Sequence, residues 1–165
     1  MILEAVIILI LMVVDFPFTV APATLWGMTL GLDIVQLEVL YIVATFLGLI
    51  FYATMKKQGK RFRTWKVINK YKKRGTFFAV FVANMLAHNF DTYAAAGEHK
   101  LNIFTTIAAL IVSNVVYFLT VWGMVMLISI LFSTFIVQMI VSTILVSVIW
   151  TFFAHYMLHK IGFGW

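Results

Sequence analysis

The sequence predicts an all-α integral membrane protein of about four transmembrane helices and two re-entrant hairpins. Three observations predict it. Hydrophobic residues make up 64% of the 165-residue chain and charged residues 11%, against about 45–50% and about 25% in a soluble domain. From Leu101 to His159 there is no Lys, Arg, Asp or Glu at all, so a bilayer is the expected solvent there. Ten of the twelve Lys and Arg residues fall between Lys56 and Arg74, a stretch without an acid that carries +10. The rest of the chain, with two bases against six acids, carries −4. Such a basic connector between apolar arms marks the cytoplasmic side of a multi-pass protein. Inside a bilayer the backbone must pair with itself, which restricts the spans to helices.

Met1–Val14 is apolar apart from Glu4, and shorter than the roughly 20 residues of a comfortable span. No base precedes this run, so it reads as a short or tilted first helix continuing toward Asp15, not as a signal peptide. Phe16–Leu32 contains Pro17, Pro22, Gly27 and Gly31. This composition suits a re-entrant hairpin, whose bent backbone other helices must cover. Ile34–Met55 has the length of a full span, with Asp33 and Glu38 at its start and Lys56 and Lys57 after its end. It therefore runs from outside to inside.

The connector holds Lys56, Lys57, Lys60, Arg61, Arg63, Lys66, Lys70, Lys72, Lys73 and Arg74. Phe62, Trp65, Ile68 and Tyr71 recur every three residues among them. The spacing suits an amphipathic helix in the membrane interface, whose bases and Trp65 would dock on anionic headgroups. A solvated loop with scattered aromatics is the alternative. A pI near 9.7 also raises nucleic acid, but flanking membrane helices make lipid the simpler partner.

Thr76–Gly97 begins apolar and then carries Asn84, His88, Asn89 and Asp91. A second re-entrant hairpin would hold these groups against protein. Spans near Ile103–Met126 and Thr134–Leu158 follow, with Ser129, Ser133 and Thr134 as the turn. Lys100 and Lys160 then both fall inside. The chain is expected to be one membrane domain: first span, hairpin and second span over 1–55, basic cytoplasmic linker over 56–75, second hairpin and span over 76–132, and last span over 133–165.

This order, together with several local strings, resembles the DedA family of bacterial and archaeal membrane proteins, relatives of the SNARE-associated or VTT-domain proteins. Tyr52, Lys56 and Gly59 are similar to the family's Tyr-x-x-Gly-(Arg/Lys)-x-x-Gly, with Met55 in place of the first Gly. Lys70–Val82, KYKKRGTFFAVFV, resembles its basic lead into a Gly and an apolar run. Ala96-Gly97 followed by Leu101-Asn102 and Phe104 resembles an Ala-Gly, Met-Asn, Phe string, and Pro22, Leu25 and Gly31 resemble the first hairpin. The similarity covers residues 14–126.

The resemblance implies acids after the hairpin proline and four residues before the Tyr, where this chain has Thr24 and Gly48. It also implies Phe-x-x-Arg-x-x-Pro-Gly-x-Arg in the second hairpin. Here Phe81–Phe90 reads FVANMLAHNF, with Asn84, Ala87 and Phe90 at the places of Arg, Pro and Arg. In the family those charges are expected to bind phosphate headgroups or couple protons. An Asn has no charge and fewer donors than a guanidinium. The scaffold thus reads as retained and its chemistry as deleted.

That points to a non-catalytic structural or accessory subunit of a larger membrane complex, in the plasma membrane of a prokaryote, with lipids and other membrane subunits as partners. The alternative is a transporter, flippase or scramblase for anionic lipid or a small anion, using His88, Asp91 and the first linker bases. A weaker alternative is a metal-binding subunit of a membrane oxidoreductase. His88, Asp91, Glu98 and His99 offer imidazole and carboxylate ligands, and His155 and His159 stand at i and i+4. The bland reading of the first set is a hairpin tip at headgroup level, and of the second a pair favoured by a helix C-terminus. No cofactor is expected. The absence of Cys removes thiol chemistry.

Overall fold

A computed structural model describes residues 2–14, 17–54, 62–86 and 89–160. Those residues form eight α-helices and no strand: α1 Ile2–Val14, α2 Pro17–Thr29, α3 Ile34–Thr54, α4 Phe62–Tyr71, α5 Thr76–Leu86, α6 Asn89–Glu98, α7 Ile103–Leu131 and α8 Phe135–Lys160. A 3-10 turn, Lys72–Arg74, links α4 to α5. Among the described residues two helices are long and apolar enough to cross a membrane, α7 with 29 residues and α8 with 26. At 1.5 Å per residue they reach about 43 and about 39 Å, beyond a hydrocarbon core of roughly 30 Å.

Both run past the expected bounds. Ser129 was expected in the turn, but it lies inside α7, where its hydroxyl donates to the Met126 carbonyl at 2.8 Å. The turn is Phe132–Thr134. The Gln138 side-chain amide donates to the Ser129 and Phe132 carbonyls. It thereby satisfies acceptors that a helix end leaves open, which lets α7 run to Leu131.

The expected break at the prolines is also different. Pro17 opens α2, where its missing N–H costs nothing, and Pro22 lies inside a continuous helix. With α1 and α2 of 13 residues each, about 20 Å apiece, each falls short of a full crossing. The two pack against each other as a pair of short helices.

The described chain divides into two compact units, residues 1–47 with 117–153, and residues 48–116 with 154–165. The boundaries fall inside α3, α7 and α8. The core of unit 1 gathers Ile8 and Met12 of α1, Val20, Ala23 and Leu25 of α2, Leu37 and Tyr41 of α3, Phe118, Val121 and Val125 of α7, and Val146 of α8. That of unit 2 gathers Val67 and Ile68 of α4, Val80 and Ala83 of α5, Ala95 and Ala96 of α6, Ala109 and Leu110 of α7, and Leu158 of α8. Four alanines, Ala83, Ala95, Ala96 and Ala109, belong to the second core, small residues of the kind that let helices approach closely.

One junction occurs twice. After α2, Leu32 N–H donates to the Gly27 carbonyl and Gly31 N–H to that of Met28, with Gly31 at φ +81°. After α6, Leu101 N–H donates to Ala96 and Lys100 N–H to Gly97, with Lys100 at φ +54°. Both are Schellman closures with their reversing residue in the left-handed region. Each leads at once into a cap. Asp33 and Gln36 exchange backbone-to-side-chain bonds of 2.8 and 3.0 Å ahead of α3, a reciprocal box. Asn102 Oδ1 accepts from Thr105 N–H at 3.1 Å ahead of α7. Gly31-Leu32-Asp33-Ile34 and Lys100-Leu101-Asn102-Ile103 are thus one device used twice.

Candidate functional site

Of the polar hairpin residues, the structure gives Asn84 the clearest place. It lies on α5, 8% exposed. Its side-chain amide donates to Ser113 Oγ at 2.8 Å and to Asn114 Oδ1 at 3.0 Å, both on α7. Ser113 in turn donates to the Leu110 carbonyl at 2.9 Å. Asn84 Oδ1 is withdrawn from solvent and has no hydrogen-bond partner among the described residues. Buried polar groups of this kind are costly unless bonded, so two donated bonds tie α5 to α7 within unit 2.

Asp91 stands in the first turn of α6, half-buried, where a carboxylate complements the positive end of the helix dipole. Asn89 begins that helix, but its side chain, and His88 entirely, lie outside the described residues. His99 is half-buried just past the end of α6, while His155 and His159 are exposed near the end of α8. Glu98 closes α6, and its side chain lies outside what is described. Among the described residues no three His, Cys, Asp or Glu side chains come together as a metal site.

The basic linker is helical over α4, as the amphipathic spacing suggests, and the described part of its apolar face meets protein. Val67 is 1% exposed and Ile68 0%, and both, with Tyr71, pack into the core of unit 2 against α5 and α6. Tyr71 also meets Phe78 edge-on, with ring centroids 5.5 Å apart. Lys70, Lys72, Lys73 and Arg74 remain exposed, with the Arg74 guanidinium 5.6 Å over the Tyr71 ring. Lys66 is half-buried. Lys56, Lys57, Lys60 and Arg61 lie outside the described residues, as do the side chains of Phe62, Arg63 and Trp65.

Thr24, at a place where the resemblance implies an acid, is fully buried. Its hydroxyl donates to the Val20 carbonyl of its own helix at 2.8 Å. Thr45 does the same toward Tyr41 at 2.9 Å. These hydroxyls are satisfied within their own helices.

Two features escaped the sequence reading. Ser113 and Asn114 are the acceptors of Asn84, and only their polarity inside an uncharged run hinted at it. Glu38 was read as a span-end acid, yet both of its carboxylate oxygens are withdrawn from solvent without a hydrogen-bond partner among the described residues. No family model, curated protein or solved structure matches the chain.

Proposed function

We propose that this chain is a multi-pass membrane protein on a DedA-like scaffold, acting as a non-catalytic structural or accessory subunit of a larger membrane complex. In this reading α1, α3, α7 and α8 span, α1 as a short or tilted helix, the two hairpins lie over 16–32 and 76–97, and the linker bases face the cytoplasm. The observation that carries it is Asn84. At the place where the resemblance implies an arginine for an anionic headgroup, this chain has an amide whose N–H donors are engaged by Ser113 and Asn114. A group used in this way holds helices together and has no charge for a ligand.

The exposed side of α8 supports the need for a nonaqueous neighbour. Ile136, Ile140, Ile144, Val148 and Phe152 follow one another every fourth residue, all 44–71% exposed. An apolar stripe of this length is not stable in water. Lipid or a partner subunit covers it. If the protein purifies alone from mild detergent, with no stoichiometric partner, the accessory reading fails.

A second reading, movement of an anionic lipid or small anion, uses His88, Asp91 and the first linker bases, of which Asp91 alone lies among the described residues, in the first turn of α6. Its test is translocation in proteoliposomes, with activity lost on Asp91→Asn or His88→Ala.

A further inference from the structure

Every Lys and Arg of the chain belongs to unit 2, twelve bases against the two acids Asp91 and Glu98, while unit 1 has four acids and no Lys or Arg. Three of those bases stand at helix ends, each with an exposed ring four residues away on the helix side. Arg74 lies ahead of α5, and Phe78 within it is 41% exposed. Lys100 lies ahead of α7, and Phe104 within it is 80% exposed. Lys160 ends α8, where Tyr156 is 61% exposed, and the Lys160 ammonium stands 5.8 Å over that ring. The three bases are themselves exposed.

The three pairs surround one core. Val80, Leu101 and Leu158, each within two residues of one pair, all pack into the core of unit 2. The other ends of α7 and α8 meet at Phe132–Thr134, which carries no charge. A base at the helix end with a ring one turn inside it is the order of a polar–apolar boundary. Rings settle where headgroups give way to acyl chains, and bases beyond them reach phosphate. Water would account for the bases and not for the open rings. An acidic protein surface would match the charge, but two of the three ends belong to α7 and α8, the helices long and apolar enough to cross a membrane. The neighbour at such an end is the bilayer surface.

We propose that unit 2 docks anionic phospholipid headgroups at these three helix ends, with Arg74, Lys100 and Lys160 on the phosphates and Phe78, Phe104 and Tyr156 at the acyl boundary. The inference rests on the reading of the chain as a multi-pass membrane protein and is independent of whether it works alone or in a complex. It extends the lipid contact expected of the linker to the starts of α5 and α7 and the end of α8, because the described apolar face of α4 meets protein.

The test uses the full chain in nanodiscs of phosphatidylcholine, alone or mixed with phosphatidylglycerol. Thermal unfolding is followed at low and high salt, and native mass spectrometry identifies the lipid that the released protein retains. Wild type retains phosphatidylglycerol over phosphatidylcholine and unfolds at a higher temperature with it, both effects fading as salt screens the charges. Arg74→Gln, Lys100→Gln and Lys160→Gln each weaken that preference roughly five-fold at low salt, so single variants suffice where a triple variant does not fold. Phe78→Ala, Phe104→Ala and Tyr156→Ala instead loosen both lipids alike. Equal retention of the two lipids by wild type, or a preference unchanged in all three base variants, overturns the proposal and leaves the membrane reading standing. Inorganic phosphate that reproduces the stabilisation in phosphatidylcholine alone also overturns it, since the bases would then serve a free anion. A chain that does not enter nanodiscs overturns the membrane reading and the proposal with it.

Discussion

Replacing Asn84 with Ala removes two donated hydrogen bonds from the α5–α7 contact. Between membrane helices such bonds average about 0.6 kcal/mol and reach about 1.7 kcal/mol in measured cycles. Two of them, at 2.8 and 3.0 Å, therefore place the loss at about 1–3 kcal/mol. The Asn84 Oδ1 atom, which has no hydrogen-bond partner among the described residues, offsets part of this, because its removal relieves a desolvated acceptor. The assay is reversible unfolding in mixed micelles, with Ser113→Ala and the double variant completing a cycle. A coupling of about 0.6 kcal/mol or more between the two positions is expected. If Asn84→Ala unfolds within about 0.5 kcal/mol of wild type, as an uninvolved surface change would, and shows no coupling, the amide does not hold the helices together. The deletion of chemistry at this site would then lose its physical basis.

The repeated junction gives a paired prediction: Lys100→Gly stabilises by ~0.5–1 kcal/mol by relieving an L-residue at positive φ, whereas Gly31→Ala destabilises by ~1 kcal/mol, both read by thermal unfolding. Opposite effects are required, and equal ones would contradict the shared closure. Gly27→Ala places a methyl 2.3 Å from Leu37 Cδ2 and 3.4 Å from Leu32 Cδ1; the leucine end must rotate away, and the cost is ~1 kcal/mol in the same assay. Because the chain has no Cys, single Lys100→Cys and Ser133→Cys variants report topology by impermeant labelling. They should label from the cytoplasmic and the outer face respectively, and labelling from one face would remove α7 as a span.

Helix content and the two long apolar helices were legible because composition and charge-free length act locally. The prolines misled, since position within a helix decides their effect: Pro17 opens α2, and Pro22 is carried through it. The Schellman closures were hidden because one uses Gly31 and the other Lys100, so only the following Leu-Asp-Ile and Leu-Asn-Ile strings show the kinship. Asn84 was visible as a polar intruder, but its partners Ser113 and Asn114 lie 29 and 30 residues away, a distance no local pattern spans. The linker's amphipathic spacing found α4, while the burial of Val67 and Ile68 against α5 and α6 was not legible, because periodicity gives a face and tertiary packing chooses its neighbour. Glu38 looked like a solvated helix-end acid, and only burial separates it from Asp33.

The central claim is that this scaffold works by assembling with others. Native purification from source membranes in mild detergent, followed by identification of co-migrating chains, tests it most directly. The accessory reading predicts a stoichiometric membrane partner that stays bound and covers part of the α8 stripe, seen as protection of Ile136–Phe152 from hydrophobic labelling. A monodisperse chain that carries no partner and leaves that stripe fully labelled would contradict it.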